Sequence, residues 1–435
     1  MTGALLATAW TAMFLYLVHR LSFFHLPGLS RREVGALFLL KVAGSAALWA
    51  IYTFHYTDRG TADVFKYFDD SAVMHAALSE APGDYLPMIT GIGDGDPRIG
   101  ERYYMHMNNW YREYEGNLYN DAHTMIRFNA LIRLVSFGHF GVHGVIAAFL
   151  SFLGTCALYR SFQRLIPGRE RLLAAALFLL PSVLLWGSGV IKESLLILGL
   201  GLLIGSSMQL SRGPMRWTAL VLLPVSMYGL FFLKFYVLLS LLPGLLAWAW
   251  CERTGHRGAW WKFLAVHAGV VLLGLNFHHL APGYHVIDIL WIKQKDFIGL
   301  ATSTDAGSFV MPEPLERNVW SFVRQAPHAL LTTLIGPLLH PGHGAMGWAA
   351  ALENALVLLA LGLLLARTGG AGPQQRSLAL LCLGYVLLLS LIIGWTTPVM
   401  GAVVRYRVPL LPFLFIGALA LVDPRRLPFR SDPLP

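Results

Sequence analysis

The sequence is poor in charge. Only 13% of its 435 residues are Asp, Glu, Lys or Arg, about half the roughly 25% of a soluble globular domain, which excludes a water-soluble fold of this length. Cysteine is scarce too. Cys156, Cys251 and Cys382 each lie in or at the end of an apolar segment, so they supply neither a disulfide framework nor a thiolate metal site. Strand-period alternation is missing, which removes a transmembrane barrel. No phosphate-binding glycine loop, dinucleotide fingerprint or His-Glu-x-x-His zinc motif occurs in a credible context. The net charge of +9 is spread over short loops, with no basic block interleaved with aromatics, so nucleic acid is not an expected partner.

What remains is apolar length. Hydrophobic residues make up 56% of the chain, the mean hydropathy is +0.56, and apolar runs long enough to cross a bilayer recur along the sequence. The expected fold class is an all-α polytopic integral membrane protein with about eleven transmembrane helices. They fall at residues 4–21, 34–54, 140–159, 172–188, 194–210, 217–233, 236–251, 263–280, 349–366, 378–395 and 408–422. The chain then divides into helices 1–2 (residues 1–54), an acidic extracytoplasmic region (55–139) and helices 3–8 (140–280). A second extracytoplasmic region (281–348) and helices 9–11 with a short cytoplasmic tail (349–435) complete it. The two long regions are expected to pack as a partly helical cap. The first segment has no basic leader or small-residue cleavage site, so it reads as a retained helix. Short loops after alternate helices are basic and the long regions carry most of the acids. The positive-inside rule therefore puts the N-terminus outside and the C-terminus in the cytoplasm of a bacterial inner membrane. The segment from Pro327 to Pro341 is too short to span and reads as interfacial or re-entrant.

The stretch YTDRGTADVFKYFDD, Tyr56 to Asp70, opens the acidic region. If it is helical from Thr61, then Asp63, Tyr67 and Asp70 share one face at i, i+4, i+7, while Phe65 and Phe68 fall on another. Its plainer reading is a solvated loop, with Asp63 the exception because apolar neighbours would press it against the membrane surface. Ionisable residues at other outer helix ends are informative because charge near lipid needs a partner or a task. Lys192 and Glu193 fill the tight turn GSGVIKE, either as a self-satisfied ion pair or as part of a site. Lys234 sits alone in FLKFY, where it either snorkels between aromatics or joins that site. Arg405 and Arg407 stand in VVRYRVPLLP on the outer side, where the positive-inside rule disfavours them. Glu353 and Asn354 lie in the first turns of the ninth helix.

Carboxylates in one outer region and cations at three other helix ends suit a lipid-linked phosphate substrate. A carboxylate takes the proton of an attacking hydroxyl, and fixed cations meet the charge on a departing phosphate. An inverting transfer needs one base and no covalent intermediate. The assigned catalytic candidates are Asp63 and Asp58. Arg405, Arg407, Lys192, Glu193, Lys234, Tyr67, Asp70, Glu353 and Asn354 are the substrate-binding candidates. The partners are then a polyprenyl-phosphate-linked sugar, a saccharide, lipid or protein acceptor, and membrane lipids. No cofactor or metal is assigned. Asp94-Gly95-Asp96 resembles a divalent-ion motif but in GIGDGDPRIG reads more simply as a turn. His278-His279 and His340 with His343 read as interfacial histidines.

The GTADVFKYF stretch, the acidic outer region and the RYRVPLLP helix together resemble membrane glycosyltransferases of the GT-C type, in particular the bacterial dolichyl-phosphate-mannose-protein mannosyltransferase-like enzymes. The segments PSVLLWGSGVIKE and ALEN also resemble uncharacterised bacterial multi-pass proteins. The first resemblance implies a sugar transfer from a polyprenyl-phosphate donor at the outer face, with an essential acid at Asp63 or Asp58. Here the acidic region follows the second apolar segment, and the adjacent Asp-Glu pair of that group is absent. Rival readings are an O-antigen or polysaccharide polymerase or ligase, a transporter or flippase, and a non-catalytic envelope assembly protein. A transporter would place ionisable residues at mid-helix, and Lys41 is the one basic residue well inside a span.

Overall fold

The computed structural model describes residues 2–111, 119–212, 216–342 and 344–427. Among them the chain is helical throughout, with two isolated bridges, Phe309 to Val399 and Thr368 to Val422, in place of any sheet. The helices begin with α1 (Thr2–Arg20) and α2 (Arg31–Phe54), followed by the shorter α3 (Asp63–Glu80), α4 (Pro82–Thr90), α5 (Pro97–Arg102) and α6 (Ala122–Ser136). Then come α7 (Phe140–Phe162), α8 (Glu170–Phe178), α9 (Pro181–Trp186), α10 (Lys192–Arg212), α11 (Trp217–Thr254) and α12 (Ala259–Leu275). The remainder is α13 (Val286–Ser303), α14 (Val319–Leu334), α15 (Gly336–Leu339), α16 (Ala345–Leu365), α17 (Pro373–Thr396), α18 (Met400–Tyr406) and α19 (Leu411–Leu421).

Seven of these are long and apolar enough to cross a membrane: α1, α2, α7, α10, α11, α16 and α17. The pair α18 and α19, bent by 54°, passes the same length and apolarity test when taken together as one broken span. The expected eleven differ from this number at identifiable places. The fourth expected span is interrupted between α8 and α9, where Leu180, pressed out of helical geometry (φ −62°, ψ 122°) by Pro181, separates two short helices. The eighth is α12, only 17 residues long. Pro409 lies in the bend between α18 and α19, which removes a backbone donor and breaks the last span.

The sixth and seventh expected spans are the two helical halves of α11, which meet at a kink and double back. Lys234 inside it is not helical (φ −156°, ψ 86°). A straight helix of 38 residues would run about 57 Å. Yet Arg212, five residues before Trp217, pairs with Glu252 near the far end at 2.8 Å. Five residue steps reach at most about 18 Å, so both ends of α11 lie at one level. Lys234 occupies the opposite level, where it meets Glu193 at the start of α10.

The bundle is held closely at a few small residues. A Cβ on Gly154 of α7 would strike the Ile197 carbonyl, and one on Gly201 of α10 would strike the Gly154 carbonyl. These two helices therefore cross at backbone contact, the packing that small residues permit in membranes. The short connections gather on one face: Arg160 donates to the Ser22, Phe23 and His25 carbonyls, and Arg169 to the Val422 carbonyl. On the same face Gln375 reaches the Leu165 carbonyl, His256 meets Ser377, and Arg426 reaches the Thr368 carbonyl.

The two long regions carry helices on the other face. The first packs on α7 and on α11, where Thr124 donates to the Phe232 carbonyl at 3.0 Å. The second packs on α17 and α18, with Phe322 against Trp395, Thr333 donating to the Ser390 carbonyl, and Val310 N–H donating to the Pro398 carbonyl. The proline-bounded segment covers the second half of α14 and all of α15. Leu334, at the end of α14, accepts from Asn354 at 3.0 Å, which carries that turn below the start of α16.

Candidate functional site

The start of α3 is held against the bundle from several sides. Val64, Phe65, Leu48 and Ile191 form a small buried cluster, and Phe68 packs edge-on against Phe140 and His143. Arg133 donates to the Phe68 carbonyl and to Ser71. With the helix fixed in this way, Asp63 occupies its first turn, where the positive helix end favours a carboxylate.

Asp63 accepts from Arg405 Nη1 at 2.9 Å, across 342 residues of sequence. On its other side Arg405 Nε lies 3.0 Å from Glu193 Oε2. Glu193 in turn accepts from Lys234 Nζ at 2.8 Å, and that ammonium sits 4.1 Å over the Tyr406 ring. Beside them Lys192 Nζ pairs with Asp121 at 2.7 Å and lies 5.3 Å from the Tyr67 ring centre. Burial and the Asp63 charge both push the Tyr67 phenol up, so that hydroxyl stays protonated. Six ionised side chains thus converge, three carboxylates and three cations.

Their depth is graded. The side chains of Asp63 and Asp121 are 33% and 35% exposed, Arg405 12%, and Glu193 0%. The acids therefore open toward the face carrying the long regions, and the cations lie beneath them with Glu193 at the floor. A buried carboxylate with two cations at hydrogen-bond distance is a fixed anchor. A half-exposed carboxylate sharing an arginine is the one an incoming anion can displace.

The candidates divide between this cluster and other places. Asp63, Tyr67, Lys192, Glu193, Lys234 and Arg405 come together. Asp58 is exposed and accepts from the Gly60 amide at 3.0 Å, closing a turn. Asp70 is buried and accepts from the Asn108 and Asn109 amides, both at 2.8 Å. Burial pushes its carboxyl above the usual range, although those two amides oppose the shift. Arg407 turns away from Arg405, since two residues along a helix are about 200° apart, and donates to Asn354 at 2.6 Å. Glu353 accepts from the Ser182 amide and hydroxyl, capping the start of α9. Glu353, Asn354 and Arg407 therefore form a second, buried cluster that holds broken helices together.

Sequence reasoning passed over Asp121 and Tyr406. Asp121 precedes α6 in the cap position but makes no cap hydrogen bond, and its pairing with Lys192 has no local signature. Tyr406 stands between the two arginines that drew attention. Asp94 pairs with Arg127 at 2.5 Å, and Asp96 caps α5 by accepting from the Arg98 amide, so both acids of the D-x-D pattern have structural partners. His278 lies between His279 and His285, each ring centre 4.0 Å away. Among the described residues no three His, Cys, Asp or Glu side chains are placed to hold a metal ion. His343 lies outside the described residues. Comparison with protein-family models, with curated proteins and with solved structures finds no match to this chain.

Proposed function

We propose that the chain is a membrane glycosyltransferase that moves a sugar from a polyprenyl-phosphate donor to an acceptor hydroxyl at the face carrying Asp63. The observation behind this reading is Arg405 held between Asp63 and Glu193. One residue links a half-exposed carboxylate, suited to be a base, with a buried anchor that keeps the guanidinium in place. The donor phosphate replaces Asp63 on Arg405, with Lys192 and Lys234 adding positive charge. Released, Asp63 takes the proton of the acceptor hydroxyl as its oxygen attacks the anomeric carbon. The bond from that carbon to the phosphate oxygen breaks, and its electron pair leaves on the polyprenyl phosphate, stabilised by Arg405.

In the same reading the chain crosses the bacterial inner membrane eleven times, with the N-terminus outside and the C-terminus in the cytoplasm. The break at α8 and α9, the doubled α11, the short α12 and the bent α18–α19 pair account for the spans beyond the seven long helices. The gathering of the basic connections on one face supports this alternation. The two long regions cap the outer face.

The test is Asp63→Asn in membrane vesicles supplied with polyprenyl-phosphate sugars, reading transfer to endogenous acceptor. Loss of a general base lowers the rate by on the order of 10²–10⁴-fold, while Asp58→Asn, which touches only a turn, leaves it near normal. Full activity of Asp63→Asn removes the reading. One observation favours a second reading, a flippase: α9 begins inside the bundle with its N-terminus capped by buried Glu353, and discontinuous helices with buried ionisable partners mark transporter sites. Translocation of a labelled lipid-linked saccharide by Asp63→Asn vesicles that show no transfer would favour it.

A further inference from the structure

On the side of the bundle away from Asp63, a groove of about 760 Å³ runs between α12 and α16 against α17 and α19. That volume is within the range of about 300–1,000 Å³ typical of sites that enclose small molecules. Its length is apolar, with Leu361, Leu365, Leu383, Val386 and Leu414 along the walls. Leu365 and Leu383 are each 52% exposed, so the groove is open sideways, where the acyl region of a bilayer would lie.

One end is different. Arg257, before α12, and Arg376, in the first turn of α17, line it together with His256. Both arginines are exposed, and among the described residues neither makes an ion pair or a side-chain hydrogen bond. The nearby acid is engaged elsewhere: Glu252 pairs with Arg212 at 2.8 Å and faces His256 at 3.5 Å. This end belongs to the face where the short basic connections gather. A groove with apolar walls and two unpaired guanidinium groups at its mouth is complementary to one class of molecule, a lipid with an anionic headgroup.

We infer that this groove holds an acyl chain of an anionic bilayer phospholipid whose phosphate is bound by Arg257 and Arg376. The site is independent of the transfer reaction, because it uses none of the residues around Arg405. The probes are nanodiscs of phosphatidylglycerol or of phosphatidylcholine, and native mass spectrometry counts the lipid retained by the full chain after release. The unaltered protein retains phosphatidylglycerol and sheds phosphatidylcholine. Each surface-proximal arginine is worth roughly fivefold in affinity, so Arg257→Gln with Arg376→Gln weakens retention by roughly 25-fold. Leu365→Trp, at an exposed position, narrows the groove and lowers retention without touching the arginines. Equal retention of both lipids, or undiminished phosphatidylglycerol in the double variant, overturns the inference. So does a Leu365→Trp protein that binds normally, since the headgroup would then be held without the groove. Should the double variant fail to fold, the single variants carry the same test, each with its fivefold loss.

Discussion

Glu193 allows a test whose sign, and not only its size, follows from geometry. Its carboxylate is fully buried and faces Lys234 at 2.8 Å and Arg405 at 3.0 Å. At an effective dielectric near 20 each contact is worth about 6 kcal/mol of attraction, and desolvation of several kcal/mol per ion opposes it. The net value of the trio is therefore small, but dismantling it in the wrong order is not. Glu193→Gln leaves two cations without their shared acid and costs about 3–5 kcal/mol. Lys234→Met alone costs less, because Arg405 still neutralises Glu193. In the Glu193→Gln background, Lys234→Met removes an orphaned ammonium and restores stability. The assay is a four-protein cycle by reversible denaturation in mixed micelles, which isolates the coupling between the two sites. If Lys234→Met destabilises equally in both backgrounds, the two groups are not coupled and the described anchor for Arg405 is wrong.

Three further outcomes are expected. Gly201→Ala places a methyl group against the Gly154 carbonyl, so α7 and α10 must separate; a loss of about 1–3 kcal/mol or more is expected by denaturation, and an unchanged midpoint would contradict the backbone crossing. Asp84, held below the usual carboxylate range chiefly by its hydrogen bond from Arg98, stabilises the native state above the ordinary aspartate value. That contribution is lost as pH falls through its lowered native value, so hydrogen exchange in α4 and α5 should rise on acidification and Asp84→Asn should flatten that rise. Reporter fusions after Arg169 and after Arg257 are expected to report the same side of the membrane, the cytoplasm. Opposite locations would break the alternation that gathers these connections on one face.

Much of this protein is legible without coordinates, and the reason is solvent. Segregating 13% charged residues away from long apolar runs leaves a chain no soluble solution, and a backbone in lipid must satisfy its own hydrogen bonds, so helices follow. The same segregation shows which loops share a face, and it picked out Asp63, Lys192, Glu193, Lys234 and Arg405 as charges stranded at helix ends. The spans were harder to read where proline and a single non-helical residue decide continuity. Leu180 before Pro181 splits one expected span into α8 and α9, whereas the reversal at Lys234 falls between the two expected spans that make up α11.

Which charges meet was decided only by tertiary structure. Hydropathy fixes the depth of a residue along a helix but not the order of helices around the bundle. That order depends on close crossings such as Gly154 with Gly201, which set α10 and therefore where Glu193 stands. Arg405 and Arg407 are equal in depth and chemistry. A turn of about 200° between them sends one to Asp63 and the other to Asn354. Asp58 and Asp70 lie within seven residues of Asp63 in sequence, but backbone amides claim both. Asp121, 58 positions beyond Asp63, reaches Lys192 instead, because α6 packs along α3 and begins beside the start of α10.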